Sequence, residues 1–152
     1  MYFELSVVIR RAPMDVFAVL RDKDKIPQKP GSPVLVLERT TPGPVGVGTR
    51  YREVVQMMPF VRGEILSELT RFEPPEHLEE DFYGAGMKGH LAYEFLPEEG
   101  GTRLIQRESV QMQGFARLFE PLVAQMLGRQ LRARLEGIRT GLDAGWSIPG
   151  QP

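Results

Sequence analysis

No cysteine occurs in the chain, which excludes disulfides, thiolate metal sites and a cysteine nucleophile. No run of roughly 18 apolar residues is present to span a bilayer. The first residues alternate in polarity instead of forming the apolar centre of a secretion signal. Charge of neither sign dominates, with 19 Lys and Arg against 20 Asp and Glu, so no nucleic-acid partner is expected. His77 and His90 are the two histidines, and neither has a second histidine at metal-ligand spacing, so no metal site is expected. Ser67 and Ser109 lack the strand–turn–helix setting of a nucleophile elbow. Gly46-Val47-Gly48 is not followed by the helix start that a phosphate loop needs. These absences predict a soluble, cytoplasmic protein without a cofactor, and 152 residues fit one domain.

The pattern that organises the rest lies near the C-terminus. Phe115, Leu118, Phe119, Leu122, Val123, Met126, Leu127, Leu131, Leu135, Ile138 and Leu142 recur at spacings of three and four. One helix from Phe115 to Leu142 would keep them on a single stripe for about seven turns. Arg117, Glu120, Gln125, Arg129, Arg132, Arg139 and Thr140 form its polar face. Pro121 is expected either to bend this helix or to mark its true start, because proline removes a backbone bond and clashes with the preceding turn. Residues 143–152, rich in Gly and Pro and carrying the sole tryptophan, Trp146, read as a flexible tail after a single domain spanning 1–142.

Upstream, the period is two. Phe3, Leu5, Val7 and Ile9 alternate with polar residues in a first strand, and Pro13 with Asp15 opens a short helix containing Val16, Phe17 and Leu20. Residues 22–26 predict one further helical turn before Pro27 and Pro30. Six more strands follow. They are centred on Val34–Glu38, Tyr51–Met57, Val61–Leu69, Leu78–Phe82, Leu91–Phe95 and Leu104–Met112, with turns rich in Gly and Pro between them. The picture is a sheet wrapped around a helix.

That order of strand, two short helices, six strands and long helix resembles the START-related, or SRPBCC, superfamily. Its members include birch-pollen-allergen-like proteins, polyketide cyclases and ubiquinone-binding START proteins. Four stretches carry the likeness. Ile9-Arg10-Arg11-Ala12-Pro13-Met14-Asp15-Val16-Phe17 is similar to the family's strand-to-helix junction, and Gly46-Val47-Gly48-Thr49-Arg50-Tyr51 to the start of its third strand. Leu69-Thr70-Arg71-Phe72-Glu73-Pro74-Pro75 and Gly100-Gly101-Thr102-Arg103-Leu104 resemble its fourth-strand exit and its sixth-to-seventh hairpin. The resemblance implies an α+β helix-grip fold, with a seven-stranded curved antiparallel sheet around the long helix and a cavity between them.

Small residues on the inward faces, Thr49, Gly63, Ser67 and Gly89, are expected to widen that cavity. A dry, empty space of about 300 Å³ would cost about 7 kcal/mol, so the space must be smaller, hydrated or filled. In a meander three turns share one end, and here they are Met57-Met58-Pro59-Phe60, Gly84-Ala85-Gly86-Met87 and Gln113-Gly114-Phe115. Their apolar content reads as an entrance. Glu53, Glu80, Gln106 and Glu108 interrupt otherwise apolar inward faces, near Tyr51 and Tyr93, and no inward arginine is expected beside them. A buried carboxylate must find a partner or hold a proton.

The strand residues expected to touch a ligand are therefore Tyr51, Glu53, Met57, Ile65, Ser67 and Phe82, with Met87, Leu91, Tyr93, Gln106, Glu108 and Val110. Met58 and Phe60 join them from a turn, and Phe115, Phe119, Val123 and Met126 from the helix. The leading expectation is binding of a hydrophobic or amphipathic small molecule, namely a polyketide, aromatic metabolite, lipid or quinone, by a monomer or weak homodimer. Two alternatives stay open. One is a cyclase or dehydratase using Glu108 or Glu53 for proton transfer and Tyr93 as polariser. The other is a partner-docking module using the apolar rim, as ubiquinone-linked START proteins imply.

Overall fold

A computed structural model describes residues 1–145. Seven antiparallel strands form one sheet: β1 (Tyr2–Ile9), β2 (Val34–Arg39), β3 (Arg50–Met58), β4 (Val61–Glu73), β5 (His77–Gly84), β6 (Met87–Glu98) and β7 (Gly101–Met112). Their order is β1-β7-β6-β5-β4-β3-β2, so β2 to β7 run as a meander and β1 joins across the far edge. Between β1 and β2 lie α1 (Pro13–Arg21) and a 3₁₀ turn, Lys23–Lys25. A second 3₁₀ segment, Gly114–Phe119, leads into α2, Glu120–Asp143. This is the helix-grip fold.

The closed end is packed from both sides. In α1, Pro13 fits the first turn and Asp15 complements the dipole there, while Val16, Phe17, Val19 and Leu20 are buried. Phe17 sits 5.4 Å from Phe72 and 5.2 Å from Phe95 between ring centroids, in the tilted arrangements that aromatic rings favour. Thr102, fully buried, donates its hydroxyl to the Arg11 carbonyl at 2.7 Å. Gly101 is required there, because a Cβ would run into the Ile9 carbonyl of the neighbouring strand.

The outer face of the sheet is wet. Arg50 pairs with Glu68, Arg52 with Glu38 and Glu64, Arg71 with Glu79, and Arg107 with Glu4 and Glu94. Each exposed pair contributes at most about 1 kcal/mol, but together they set the polar period that points the other residues inward.

Pro121 marks the true start of the long helix, one of its two expected effects: the helix begins at Glu120 and not at Phe115, because proline lacks the N–H that a continuous helix would need there. In one respect the helix departs from expectation, since its apolar stripe is only half used. Leu131, Leu135, Ile138 and Leu142 are buried, whereas Leu122 and Met126 are exposed, as are Leu118 and Phe119 before them. Asp143 is the last helical residue, and its carboxylate accepts the Arg10 backbone N–H at 2.8 Å. Trp146 and the rest of the expected tail, 146–152, lie outside the described residues.

Candidate functional site

The strand register lays the inward residues out in rows across the sheet. Leu5, Gln106, Tyr93, Leu78 and Phe72 form one row, and the next runs Phe3, Glu108, Leu91, Glu80, Leu69. Further toward the open end come Val110, Gly89, Phe82, Ser67 and Tyr51, then Met112, Met87, Gly84, Ile65 and Glu53. Of the expected ligand residues on the strands, Tyr51, Phe82, Leu91, Tyr93, Gln106, Glu108 and Val110 are buried. Glu53, Ile65, Ser67 and Met87 are half-buried, as is Val123 on α2. Met57, Met58, Phe60, Phe115, Phe119 and Met126 are exposed at the open end.

Polar groups meet in the middle rows. Lys23, carried on the 3₁₀ turn after α1, reaches Glu80 at 2.5 Å and Ser67 Oγ at 3.4 Å, with its ammonium 4.4 Å from the centre of the Tyr51 ring. Tyr51 donates its hydroxyl to the Arg21 carbonyl at 3.3 Å, and burial with the fields of Asp24 and Glu80 raises its pKa. Glu108 accepts one hydrogen bond, from Gln106 Nε2 at 3.1 Å. Burial pushes its carboxyl up to about 7, with Glu80 and Glu53 adding to the rise, against opposing effects of Gln106 and Arg134. Tyr93 is pushed up to about 12, again chiefly by burial. Glu80 and Glu108 share a row with Leu91 between them, so at about 4.8 Å per strand they stand roughly 10 Å apart and do not form a proton-sharing dyad.

Arg134 of α2 corrects the expectation that no arginine faces this cluster. It lines the same recess as Lys23, Tyr51, Glu80 and Tyr93; the residue as a whole is exposed, while its guanidinium is desolvated beside them. Burial lowers its pKa and the fields of Tyr93, Glu53, Glu80 and Glu108 more than offset this, leaving it raised. Among the described residues, Arg134, Glu53 and Tyr93 make no side-chain hydrogen bond or ion pair, in contrast to the closed Lys23–Glu80 pair.

The void beside this cluster is small, one of the three forms expected. The space enclosed beside Lys23, Tyr93 and Arg134 is about 10 Å³, room for about one water. The glycines do not widen it. A Cβ at Gly63 would fall 2.6 Å from Met57 Sδ, and one at Gly89 would strike the Phe82 ring, so neighbours already fill both places. Thr49 is buried and accepts the Gly46 N–H at 3.0 Å. A larger recess of about 230 Å³ lies between β1 and α2, where Glu4, Ser6, Arg132 and Glu136 beside Leu5, Val7 and Leu135 give it a mostly polar surface. On the open side, the first half of α2 leaves its apolar residues Leu122 and Met126 uncovered.

No group of three or more His, Cys, Asp or Glu among the described residues is arranged to hold a metal ion. The recess provides instead a phenol, an ammonium–carboxylate pair and a guanidinium, from Tyr93, Lys23 with Glu80, and Arg134, bordered by Leu69, Leu78 and Leu91.

A curved sheet gripping a C-terminal helix, with its polar cluster inside, defines a START-related protein of the SRPBCC superfamily. Within it, the chain belongs to the family described as polyketide cyclase / dehydrase and lipid transport, whose model matches residues 2–143. Solved structures agree on the fold. TTHA0849 from Thermus thermophilus is 22% identical with a TM-score of 0.75, covering 97% of this chain and 100% of that one. Ara h 8.0201 is 17% identical with a TM-score of 0.71, covering 92% and 95%. A START superfamily protein from Mycobacterium smegmatis is 13% identical with a TM-score of 0.64, covering 90% and 98%. No curated protein matches the sequence.

Proposed function

We propose that the chain binds a hydrophobic or amphipathic small molecule bearing oxygen functions, such as a polyketide, aromatic metabolite, lipid or quinone, between the concave sheet and the first half of α2. One observation carries this reading. Tyr93 and Arg134 line one recess, with Glu53 near enough for its field to reach both, and none of the three bonds to another. Glu108 beside them has only Gln106. Polar groups held in a sheltered place normally satisfy each other. These instead present donors and acceptors to whatever enters, and the apolar side chains around them suit the body of such a ligand. The family description is consistent with this.

Native mass spectrometry of the purified protein tests the reading, followed by thermal-shift measurements with aromatic and lipid compounds. A co-purifying small molecule, or a compound that raises Tm in wild type and less in Tyr93→Phe and Arg134→Gln, is the expected result. Absence of any adduct together with no response to any compound would overturn it.

A second reading, proton-transfer catalysis of cyclase or dehydratase type, is favoured by Glu108. A carboxyl near pH 7 is matched to general acid or base work. If a bound compound is turned over, Glu108→Gln should lower the rate by about 100-fold or more. A pure binder would show instead a change in affinity of about 1–3 kcal/mol.

A further inference from the structure

Three segments meet at the open end. The β3–β4 turn and the β5–β6 turn adjoin, since a Cβ on Gly63 would lie between Met57 Sδ and Ala85 Cβ. The β5–β6 turn in its turn adjoins the 3₁₀ segment, where a Cβ on Gly86 would lie 3.4 Å from Ala116 Cβ and Gln113 N–H donates to the Gly86 carbonyl at 2.8 Å. The result is one end of the molecule and not three separate tips.

Its surface is apolar to a degree that surface turns rarely are. Phe60 is 104% exposed and Phe115 is 88% exposed, and Met58, Leu118, Phe119 and Leu122 are exposed with them. Contiguous apolar surface of this kind marks an interaction site. Phe60 is held there against its backbone preference, at φ 67 in the two-residue turn between the paired Met58 and Val61. A bulky residue in that left-handed region is an outlier, since glycine would fit without strain.

Charge distinguishes what such a surface would meet. No acidic residue occurs in 55–63, 82–93 or 109–119, the stretches that build this end. Their cations are Arg62, Lys88 and Arg117, and none of the three has an ion pair among the described residues. The other Lys and Arg residues of β3 to β7, Arg50, Arg52, Arg71, Arg103 and Arg107, all do. Glu120, the first acidic residue that follows, opens α2, where it complements the helix dipole.

From this combination we infer that the open end is a peripheral docking surface for an anionic phospholipid bilayer, with Phe60, Phe115 and Leu118 entering the headgroup boundary and Arg62, Lys88 and Arg117 meeting the lipid phosphates. Exposed aromatic and leucine side chains beside basic residues are what shallow insertion uses. Each cation near such a surface adds about fivefold to partitioning, so three add roughly a hundredfold. The inference goes beyond small-molecule binding and does not depend on it.

Flotation with phosphatidylcholine/phosphatidylglycerol vesicles and with pure phosphatidylcholine vesicles, at low and high salt, reads the partitioning directly. Wild type should float with the anionic vesicles at low salt and be largely released by high salt. The triple variant Arg62→Gln, Lys88→Gln, Arg117→Gln should lose roughly a hundredfold. Phe60→Gly, which relieves the φ strain and so keeps the fold, should lose about tenfold with Tm unchanged or raised. Failure of wild type to float with anionic vesicles overturns the proposal. So does equal flotation of wild type and both variants. Concentration-dependent dimerisation in sedimentation velocity that Phe60→Gly abolishes, without vesicle binding, would assign the surface to a second copy and overturn it as well.

Discussion

The two halves of α2 carry similar apolar residues and end in opposite environments. Leu131, Leu135, Ile138 and Leu142 are buried against the closed end, while Leu122 and Met126 stand exposed. The difference lies in the wall they face. Leu135, Ile138 and Leu142 share one buried cluster with Ile9, Phe17, Phe95 and Leu104, each with at most 1% exposure, and this gives the second half something apolar to close on. Toward the open end the concave rows carry Glu53, Glu80 and Glu108, and Lys23 reaches in beside them. A helix settling onto these would strip water from charges, at a cost that a few leucines do not offset. Periodicity therefore reports what a helix face is able to bury, and the opposing wall decides how much of it is buried.

The sharpest way to break this comparison is to cut the same side chain in both halves. Leu135→Ala should cost about 3–5 kcal/mol, because its packed surroundings cannot collapse into the space. Leu122→Ala should change stability by no more than about 0.5 kcal/mol. Urea unfolding of the two variants checks this, and similar losses would mean that the first half of α2 packs in solution.

A somewhat smaller effect is expected from the polar wall itself. Glu108 keeps its proton in the fold up to about 7, against 4.5 when unperturbed. Below pH 4.5 both states are protonated and the fold is not penalised. Between 4.5 and about 7 the unfolded chain ionises first, so wild-type stability falls, and above that the deficit stays constant. Glu108→Gln removes the titration. It should gain on wild type as the pH rises, by up to about 3 kcal/mol above about pH 7. Unfolding curves that keep the same separation at about pH 4.5 and about pH 8 would exclude a buried, protonated Glu108.

The smallest effect belongs to the outer face. His90 bonds Asp81 at 2.6 Å and Glu79 at 3.2 Å; partial burial lowers its pKa, but these carboxylates outweigh it and leave it raised. The pair's contribution is full below the unfolded value of 6.5 and is lost as pH rises through the raised folded value. Asp81→Asn should bring the His90 pKa down in an NMR titration. Its cost, within about 0.5 kcal/mol, should be measurable only at acidic pH.

Much of this was legible in the residues. Alternation placed Glu53, Glu80, Gln106 and Glu108 on the concave face because a strand has only two sides, and the ladder keeps that parity wherever no bulge intervenes. Pro121 signalled a break by its missing N–H. Two members of the cluster were less accessible. Arg134 lies three residues after Leu131 and four before Ile138, which is stripe spacing, so its position was readable although its polarity hid it. Lys23 was not readable. It stands in a three-residue 3₁₀ turn with no period of its own, and its partner Glu80 is set by packing across the fold. Burial of only half of α2 depends on the opposing wall, which no local pattern contains.

The pairing of β1 with β7 ties completion of the sheet to the end of synthesis. Tyr2 sits opposite Ser109 and Ile9 opposite Thr102, so the first of the seven strands to be made is completed by the last. The hairpins of the β2–β7 meander close through short loops as they leave the ribosome, whereas β1 must wait for all of them. Until β7 arrives, Val7 and Ile9 lack the strand beside which they are buried, and α2, made later still, has yet to cover them. A nascent chain of this protein therefore carries an unmatched apolar strand for most of the time its sheet is being translated, the period in which a chaperone has most to hold.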